Sequence, residues 1–154
     1  MLPEGILELH RISIADPASS KKRILEQAAR LLAGNGAELE AEPVFERLLE
    51  RERLGSTGLA GGVALPHARM PGISETHGAF LRLDQPVEFD ALDGKPVDLV
   101  FALLVPEEAT DEHLQLLSTL ARMFNDDELC QRLREADPEE ALAILSGRST
   151  THAA

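Results

Sequence analysis

The chain has 154 residues, 44% of them hydrophobic, and carries 15 Lys and Arg against 27 Asp and Glu, a net charge of −12. This length and apolar content predict one domain with a buried core and exclude a disordered chain. The acidic balance argues against nucleic-acid and membrane-surface binders, which need a basic face, and favours partners with a basic docking patch.

Two helices are predicted in the first third of the chain. The segment from Ser19 to Gly34 has apolar residues at helical spacing, a serine that can cap its start and a glycine at its end. A second helix is predicted from about Ala41 to Arg53, with Pro43 in its first turn.

The middle of the chain reads as a loop followed by strands. Four glycines fall between Gly55 and Gly62, and so permissive a backbone can approach a neighbouring group closely. Residues 63–66 form a short apolar strand that its proline is expected to end. Further strands are predicted at 78–83 and 97–105, and the second is apolar at nearly every position, as in a central strand covered on both faces.

The last third is predicted to be helical. Thr110 is the expected cap of a helix that buries Leu114, Leu117, Leu120, Ala121 and Phe124. Asn125 or Asp126 opens the next helix. Asp137 caps the last one, with Pro138 at its first position and Gly147 after its end.

These elements predict an α/β fold, a single-domain mixed β-sheet flanked by helices on both faces. The domain is expected to cover residues 1–148 and to leave 149–154 as a disordered tail. The single cysteine, Cys130, cannot form an internal disulfide and suggests a reducing, cytoplasmic setting. No signal peptide and no membrane insertion are expected, because the longest apolar run is seven residues, from Leu99 to Val105.

Two of the five histidines are candidate site residues. His67 follows a strand and a proline, where α/β proteins often place site residues, although a polar residue at a strand end is an equally good interpretation. His113 lies in the first turn of a predicted helix, near unpaired backbone N–H groups that suit an anion. From spacing alone, an exposed first-turn residue is the favoured interpretation of His113. His10 and His152 are expected to be solvated, and His77 to lie in a loop.

Several common chemistries have no motif in this chain. The glycines follow a helix and precede a strand, which is the wrong order for a dinucleotide loop, and no Walker A lysine follows them. The HExxH and GxSxG patterns are absent, and no third ligand stands near the two candidate histidines, so neither a metal nor another cofactor is expected. A nucleophilic histidine beside a glycine loop remains, which suits phosphoryl transfer.

The segment ERLGSTGLAGGVALPHA, from Glu52 to Ala68, resembles the active-site signature of the fructose/mannitol-type IIA domains of the bacterial phosphoenolpyruvate-dependent phosphotransferase system. The resemblance extends from about Gly5 to Gly147. It includes SKKR at 20–23, FDALDGKPVDLVFALLVP at 89–106 and EHLQLLSTLA at 112–121. Together these blocks are most similar to the nitrogen-regulatory branch of the family.

This resemblance assigns roles to individual residues. It implies that His67 accepts the phosphoryl group, that His113 is the second active-site histidine and that Arg51 lies near the phosphoryl group, where a guanidinium can bind two oxygens at once. Ala68 and Arg69 stand where many nitrogen-type members have Gly-Lys. Further candidates for phosphate binding are Ser56, Thr57 and Arg69.

The resemblance also implies a function. The protein is expected to take a phosphoryl group from an HPr-like carrier (NPr in the nitrogen branch). Its phosphorylation state would then regulate targets such as potassium-transport proteins or sensor kinases. Two alternatives stay open: a sugar-specific IIA component that passes the group to a IIB domain in fructose or mannitol uptake, and a non-catalytic binding module.

The acidity of the chain conflicts with the acceptance of an anionic group. A small basic pocket is the expected solution. Its predicted members are Arg51, Arg69, the helix end at His113 and the N–H groups of the glycine loop.

Overall fold

The computed structural model describes residues 2–3, 5–34, 39–109 and 111–147, without the side chains at positions 112 and 113. The expected cap Thr110 and the expected tail at 149–154 lie outside the described residues. Among the described residues, no helix combines the length and the apolar character that spanning a bilayer requires.

One mixed β-sheet forms the centre of the described part of the chain. Its strands run in the order β1-β4-β5-β2, and β3 pairs with β5 beyond β2. Strands β4 and β5 are antiparallel, and the other pairs are parallel. The strands are β1 (Leu7–Asp16), β2 (Val63–Ala64), β3 (His67–Met70), β4 (His77–Val87) and β5 (Val97–Pro106).

Helices cover both faces of this sheet, as predicted. One core lies between the sheet and α1 and α2, and a second core lies between the sheet and the three C-terminal helices. The helices are α1 (Lys21–Ala33), α2 (Ala41–Leu54), α3 (Asp111–Phe124), α4 (Asp127–Glu135) and α5 (Pro138–Ser146). The expected α/β fold is therefore confirmed.

The apolar run in β5 is the central strand that the sequence predicts. Residues 99–105 are all buried, because β5 pairs with β4 on one side and with β2 and β3 on the other. Its alternate side chains enter the two cores: Phe101 contributes to one and Ala102 to the other. This strand therefore fixes the position of β3, where His67 lies.

Three of the predicted helix caps are confirmed. Ser20 precedes α1, and its hydroxyl oxygen accepts a hydrogen bond from the Arg23 amide at 3.1 Å. The carboxylate of Asp126 accepts from two amides at the start of α4. Asp137 forms a reciprocal capping box with Glu140 before α5.

The short strand predicted at residues 63–66 ends at Ala64, two residues before the expected stop at Pro66, and His67 begins a new strand, β3. The Leu103 amide donates to the Pro66 carbonyl at 2.9 Å, and His67 pairs with Leu103 as the first residue of β3. Pro66 has no N–H group to donate to β5, but its carbonyl still accepts from β5. The pairing with β5 therefore resumes at His67.

The buried face of α3 differs from the expected one. Leu114 is 63% exposed and Ala121 is exposed, whereas Leu116 and Met123 are buried. The buried positions are Leu116, Leu120, Met123 and Phe124, and the partly buried Leu117 packs against the same core. Three residues of the expected stripe, Leu117, Leu120 and Phe124, therefore pack against this core, whereas Leu114 and Ala121 do not.

Two further strand expectations need correction. No strand was expected at β1, which lies at the sheet edge and pairs with β4 alone. His77 is the first residue of β4 and pairs with Leu104, although the sequence placed it in a loop.

Candidate functional site

The end of α2 and the start of β3 enclose an open cleft of about 540 Å³. The cleft brings together three of the predicted site residues: His67, Arg51 and Arg69. Its lining residues are Arg47, Glu50, Arg51, Arg53, Leu54, His67, Ala68 and Arg69. Four arginines against one glutamate make the cleft basic on a protein whose net charge is −12.

A backbone contact determines the tautomer of His67. Its Nδ1 lies 2.8 Å from the carbonyl oxygen of Leu65. A carbonyl oxygen can only accept, so Nδ1 carries the hydrogen and donates it. In the neutral ring, the nucleophilic lone pair is then on Nε2.

Burial lowers the pKa of His67 below its ordinary value of 6.5, because desolvation disfavours the charged ring. The bond to the Leu65 carbonyl opposes this shift, because it stabilises the ring when it is charged. The nearby charge of Arg51 lowers the pKa further, and that of Glu52 raises it. The ring is therefore neutral and nucleophilic near pH 7.

Arg51 lies in the last turn of α2, and its guanidinium is directed across the turn that follows. Its Nη1 donates to the Gly55 carbonyl at 2.9 Å. A guanidinium has five N–H donors in a planar fork, and this contact uses one of them. Arg51 therefore has the chemistry to bind oxygens of a phosphoryl group held at His67.

Two other cleft arginines contact the turn after β5. Arg69 Nη1 donates to the Glu107 carbonyl at 3.0 Å. Arg47 Nη1 lies 3.6 Å from the Glu107 carboxylate. Sequence reasoning missed Arg47 and Arg53. The spacing of Arg47 and Arg51, four residues apart on α2, could have placed Arg47 on the same helix face.

Ser56 and Thr57 use their hydroxyl hydrogens within the fold. The Ser56 hydroxyl donates to the Phe89 carbonyl at 2.8 Å. The Thr57 hydroxyl donates to Glu52 Oε1 at 2.7 Å, and Thr57 is buried. Neither residue lines the cleft, so a phosphate-binding role for them stays a prediction.

Three amides of the glycine loop donate hydrogen bonds within the fold, and a role for the loop in phosphate binding stays a prediction. The amides of Gly58, Leu59 and Gly61 donate to the Ser56 hydroxyl, the Val63 carbonyl and the Asp93 carboxylate. The glycines allow the loop backbone to pack closely against neighbouring residues of the same chain. A Cβ on Gly58 would lie 2.9 Å from the Ala91 Cα.

The other histidines contribute less to the described site. His113 belongs to the first turn of α3, but its side chain is not among those described, so its role stays a prediction. His10 is about half exposed and lies 3.9 Å from Glu8, and His152 lies outside the described residues. In the described part of the chain, no three His, Cys, Asp or Glu side chains are grouped to hold a metal.

Comparison with known proteins places the chain in a family. Residues 5–147 match the model of the family described as "Phosphoenolpyruvate-dependent sugar phosphotransferase system, EIIA 2". The chain belongs to this EIIA family. As a member, it is a component of the phosphotransferase system and a phosphoryl carrier.

The relatives of this EIIA domain include nitrogen-regulatory proteins. It is 51% identical over 139 residues to a nitrogen regulatory protein of Pseudomonas aeruginosa, covering 90% of each chain. The crystal structure of the nitrogen regulatory protein IIA-Ntr from Neisseria meningitidis superposes with a TM-score of 0.86 at 49% identity, covering 91% of this chain and 96% of that one. A fructose-specific EIIA component of Haloferax volcanii is 33% identical and covers 89% of each chain.

Proposed function

We propose that Nε2 of His67 accepts a phosphoryl group from an HPr-like or NPr-like carrier protein in the cytoplasm. The phosphorylated and unphosphorylated forms then bind regulatory targets differently. Potassium-transport proteins and sensor kinases are the expected kinds of target. The similarity to two nitrogen-regulatory proteins, at 51% and 49% identity, supports regulation over sugar uptake.

The observation that carries this proposal is the bond from His67 Nδ1 to the Leu65 carbonyl inside a cleft of arginines. In the proposed step, Nε2 attacks the phosphorus, and the phosphorus–nitrogen bond of the carrier's phosphohistidine breaks. The carrier nitrogen keeps the electron pair. The positive charge that the His67 ring gains is stabilised by the Leu65 carbonyl, which still accepts the Nδ1 hydrogen.

The cleft arginines supply the electrostatic part of the step. Phosphoryl transfer depends mainly on positioning and on neutralising the charge of the phosphoryl oxygens. Arg51 and Arg69 line the cleft with His67, and we assign them to those oxygens. His113 is proposed to support the group from the first turn of α3, and Ser56 and Thr57 to contribute through the loop that they hold.

The test is phosphorylation with phosphoenolpyruvate, enzyme I and either NPr or HPr. The wild-type chain should gain acid-labile phosphate, and His67→Ala should gain none. His10→Ala is the matched control, because His10 lies on β1 outside the cleft and should not affect labelling. Equal labelling of the His67→Ala variant would contradict the proposal. Removal of residues 149–154 should leave labelling unchanged, because we place the working domain at 1–148.

A second candidate function is transfer of the group to a sugar-specific IIB domain. The relative from Haloferax volcanii, named as a fructose-specific EIIA component, favours this candidate. Incubation of the phosphorylated chain with fructose and mannitol IIB domains separates the two. Rapid loss of label to IIB supports sugar uptake. Retention of label, together with target binding that differs between His67→Ala and His67→Asp, supports regulation. Target binding that is independent of His67 indicates a non-catalytic module.

A further inference from the structure

Glu52 places a carboxylate inside the protein directly beside the candidate site. Its side chain is only 3% exposed. The carboxylate accepts hydrogen bonds from the Thr57 amide at 2.8 Å and from the Thr57 hydroxyl at 2.7 Å. The ammonium of Lys21 lies 3.1 Å from it. Glu52 follows Arg51 in the last turn of α2, but it does not line the cleft.

Resting on the proposed phosphoryl transfer to His67, we propose that Glu52 is a positioning residue that holds Arg51 at the cleft by fixing the turn after α2. The residues that carry this inference are Lys21, Arg51, Glu52, Gly55 and Thr57.

The contacts form a continuous connection from Glu52 to Arg51. The Glu52 carboxylate accepts from Thr57, and the Glu52 carbonyl accepts from the Gly55 amide at 3.2 Å, so two residues of the turn are bonded to Glu52. The carbonyl of Gly55, in the middle of this turn, accepts from Arg51 Nη1 at 2.9 Å. If the turn were released, the Gly55 carbonyl would move and the arginine would lose its anchor.

Stability alone is a weak explanation for a carboxylate at this position. Removing a charge from water is costly, and buried ion pairs often stabilise a fold no more than apolar residues of the same shape. Here the carboxylate is matched by Lys21, which also contacts Asp90 at 3.1 Å and lies 4.8 Å above the Phe89 ring. What the ionised group provides is several directed acceptors that fix one geometry of the turn.

The charge of Glu52 also reaches the reacting ring. It raises the pKa of His67, whereas Arg51 lowers it. Arg47, Glu50, Arg53 and Arg69 are the other charged groups that line the cleft.

The experiment measures initial rates of phosphoryl transfer to the full chain from the phosphorylated carrier. Four variants are compared: Glu52→Gln, Glu52→Asp, Arg51→Ala and the double variant Arg51→Ala/Glu52→Gln. Glu52→Gln removes the charge, and Glu52→Asp shortens the side chain that carries it. Each should slow transfer on the order of 10-fold to 100-fold, as misplacement of a substrate-binding group does. In the Arg51→Ala background, Glu52→Gln should slow transfer less than about threefold further, because Glu52 acts through Arg51.

Controls separate positioning from general damage to the fold. Asp98→Asn removes the negative charge that faces Arg134 in another partly buried ion pair, at 2.8 Å, and should leave the rate within about threefold of wild type. Thermal unfolding identifies variants that do not fold. If Glu52→Gln fails to fold, Lys21→Met and Thr57→Val loosen the same turn, and their losses should likewise shrink in the Arg51→Ala background.

The His67 titration, followed by NMR, provides an independent readout. Glu52→Gln should lower the His67 pKa, because it removes a negative charge that raises it. Additive rate losses with Arg51→Ala, or folded Glu52 variants with wild-type rates, would overturn the inference. A wild-type chain that gains no label, or His67→Ala that gains as much, would instead overturn the proposed function.

Discussion

His67 lies at the start of β3 with Nδ1 2.8 Å from the Leu65 carbonyl. That contact determines which ring nitrogen is nucleophilic, and the burial of the ring lowers its pKa. The hydrogen bond selects Nε2 as the nucleophilic atom, whereas burial keeps the ring neutral near pH 7 by lowering its pKa. We therefore expect phosphohistidine formed on this chain to carry the phosphoryl group on Nε2, which ³¹P and ¹⁵N NMR of the labelled protein can distinguish from Nδ1.

The lowered pKa of His67 also predicts how stability depends on pH. The folded state binds a proton at His67 less readily than the unfolded state, whose ordinary pKa is 6.5. As pH falls through 6.5 towards the folded pKa, the unfolded chain takes up the proton first, so the free energy of unfolding decreases. Above 6.5 this effect disappears.

Urea denaturation of wild type and His67→Gln at several pH values measures this dependence. The wild type should lose more stability than the variant between pH 7 and pH 5. A His67 pKa at or above 6.5 in an NMR titration, or parallel curves for the two proteins, would contradict the lowered value.

At the scale of residues, the sequence predicted three of the residues that line the cleft but missed two of its arginines. His67, Arg51 and Arg69 were candidates from the family resemblance, and the structure places them together. Arg47 belongs to the same cleft but was not among those candidates. Its role depends on how α2 packs beside β3, which is not a local property of the sequence. The donation from the Thr57 hydroxyl to the buried carboxylate of Glu52 could not be predicted, because spacing in the sequence does not show which side chain lies opposite.

At the scale of elements, the glycine loop fixes the approach to β2 and β3. Gly58 forms a bridge with Ala64, and the Leu65 amide donates to the Thr57 carbonyl at 3.0 Å. The loop is therefore packed against the strands whose continuation carries His67.

Two glycine substitutions test this packing. A Cβ on Gly58 would lie 2.9 Å from the Ala91 Cα, so Gly58→Ala should cost about 1–3 kcal/mol of unfolding free energy. Gly55 is the matched control, because its backbone is extended and a Cβ there would meet nothing within 4 Å. Gly55→Ala should change stability by less than about 0.5 kcal/mol. Equal effects in chemical denaturation would show that the loop is not tightly packed.

Helices were easier to predict than strands, for a physical reason. The signals that bound α1 and α5, such as Ser20, Asp137 and Gly147, act on amides within the same few residues. Strand β1 depends on pairing with β4, about seventy residues further along the chain. Strand β3 depends on its ladder with β5. Such pairing leaves little local trace in the sequence.

For the whole molecule, the structure sharpens what the net charge of −12 means. The charge is not uniform, because four arginines and one glutamate line the cleft that holds His67. The acidic remainder suits long-range attraction of a basic carrier, and the cleft suits the anionic group that the carrier delivers.

Association with the carrier should therefore depend on salt. The screening length is about 10 Å at 0.1 M ionic strength and about 3 Å at 1 M, so added salt removes the long-range attraction. The second-order rate constant of phosphoryl transfer should fall severalfold over this range, whereas the stability of the domain should change little. A rate constant that is independent of salt would show that the net charge does not steer the encounter.

The most direct test of the account is phosphorylation of wild type and His67→Ala with phosphoenolpyruvate, enzyme I and the carrier. The account predicts one acid-labile phosphoryl group per wild-type chain, attached to Nε2 of His67, and no label on the variant. Undiminished labelling of a folded His67→Ala protein, or no labelling of the wild type by either NPr or HPr, would contradict it.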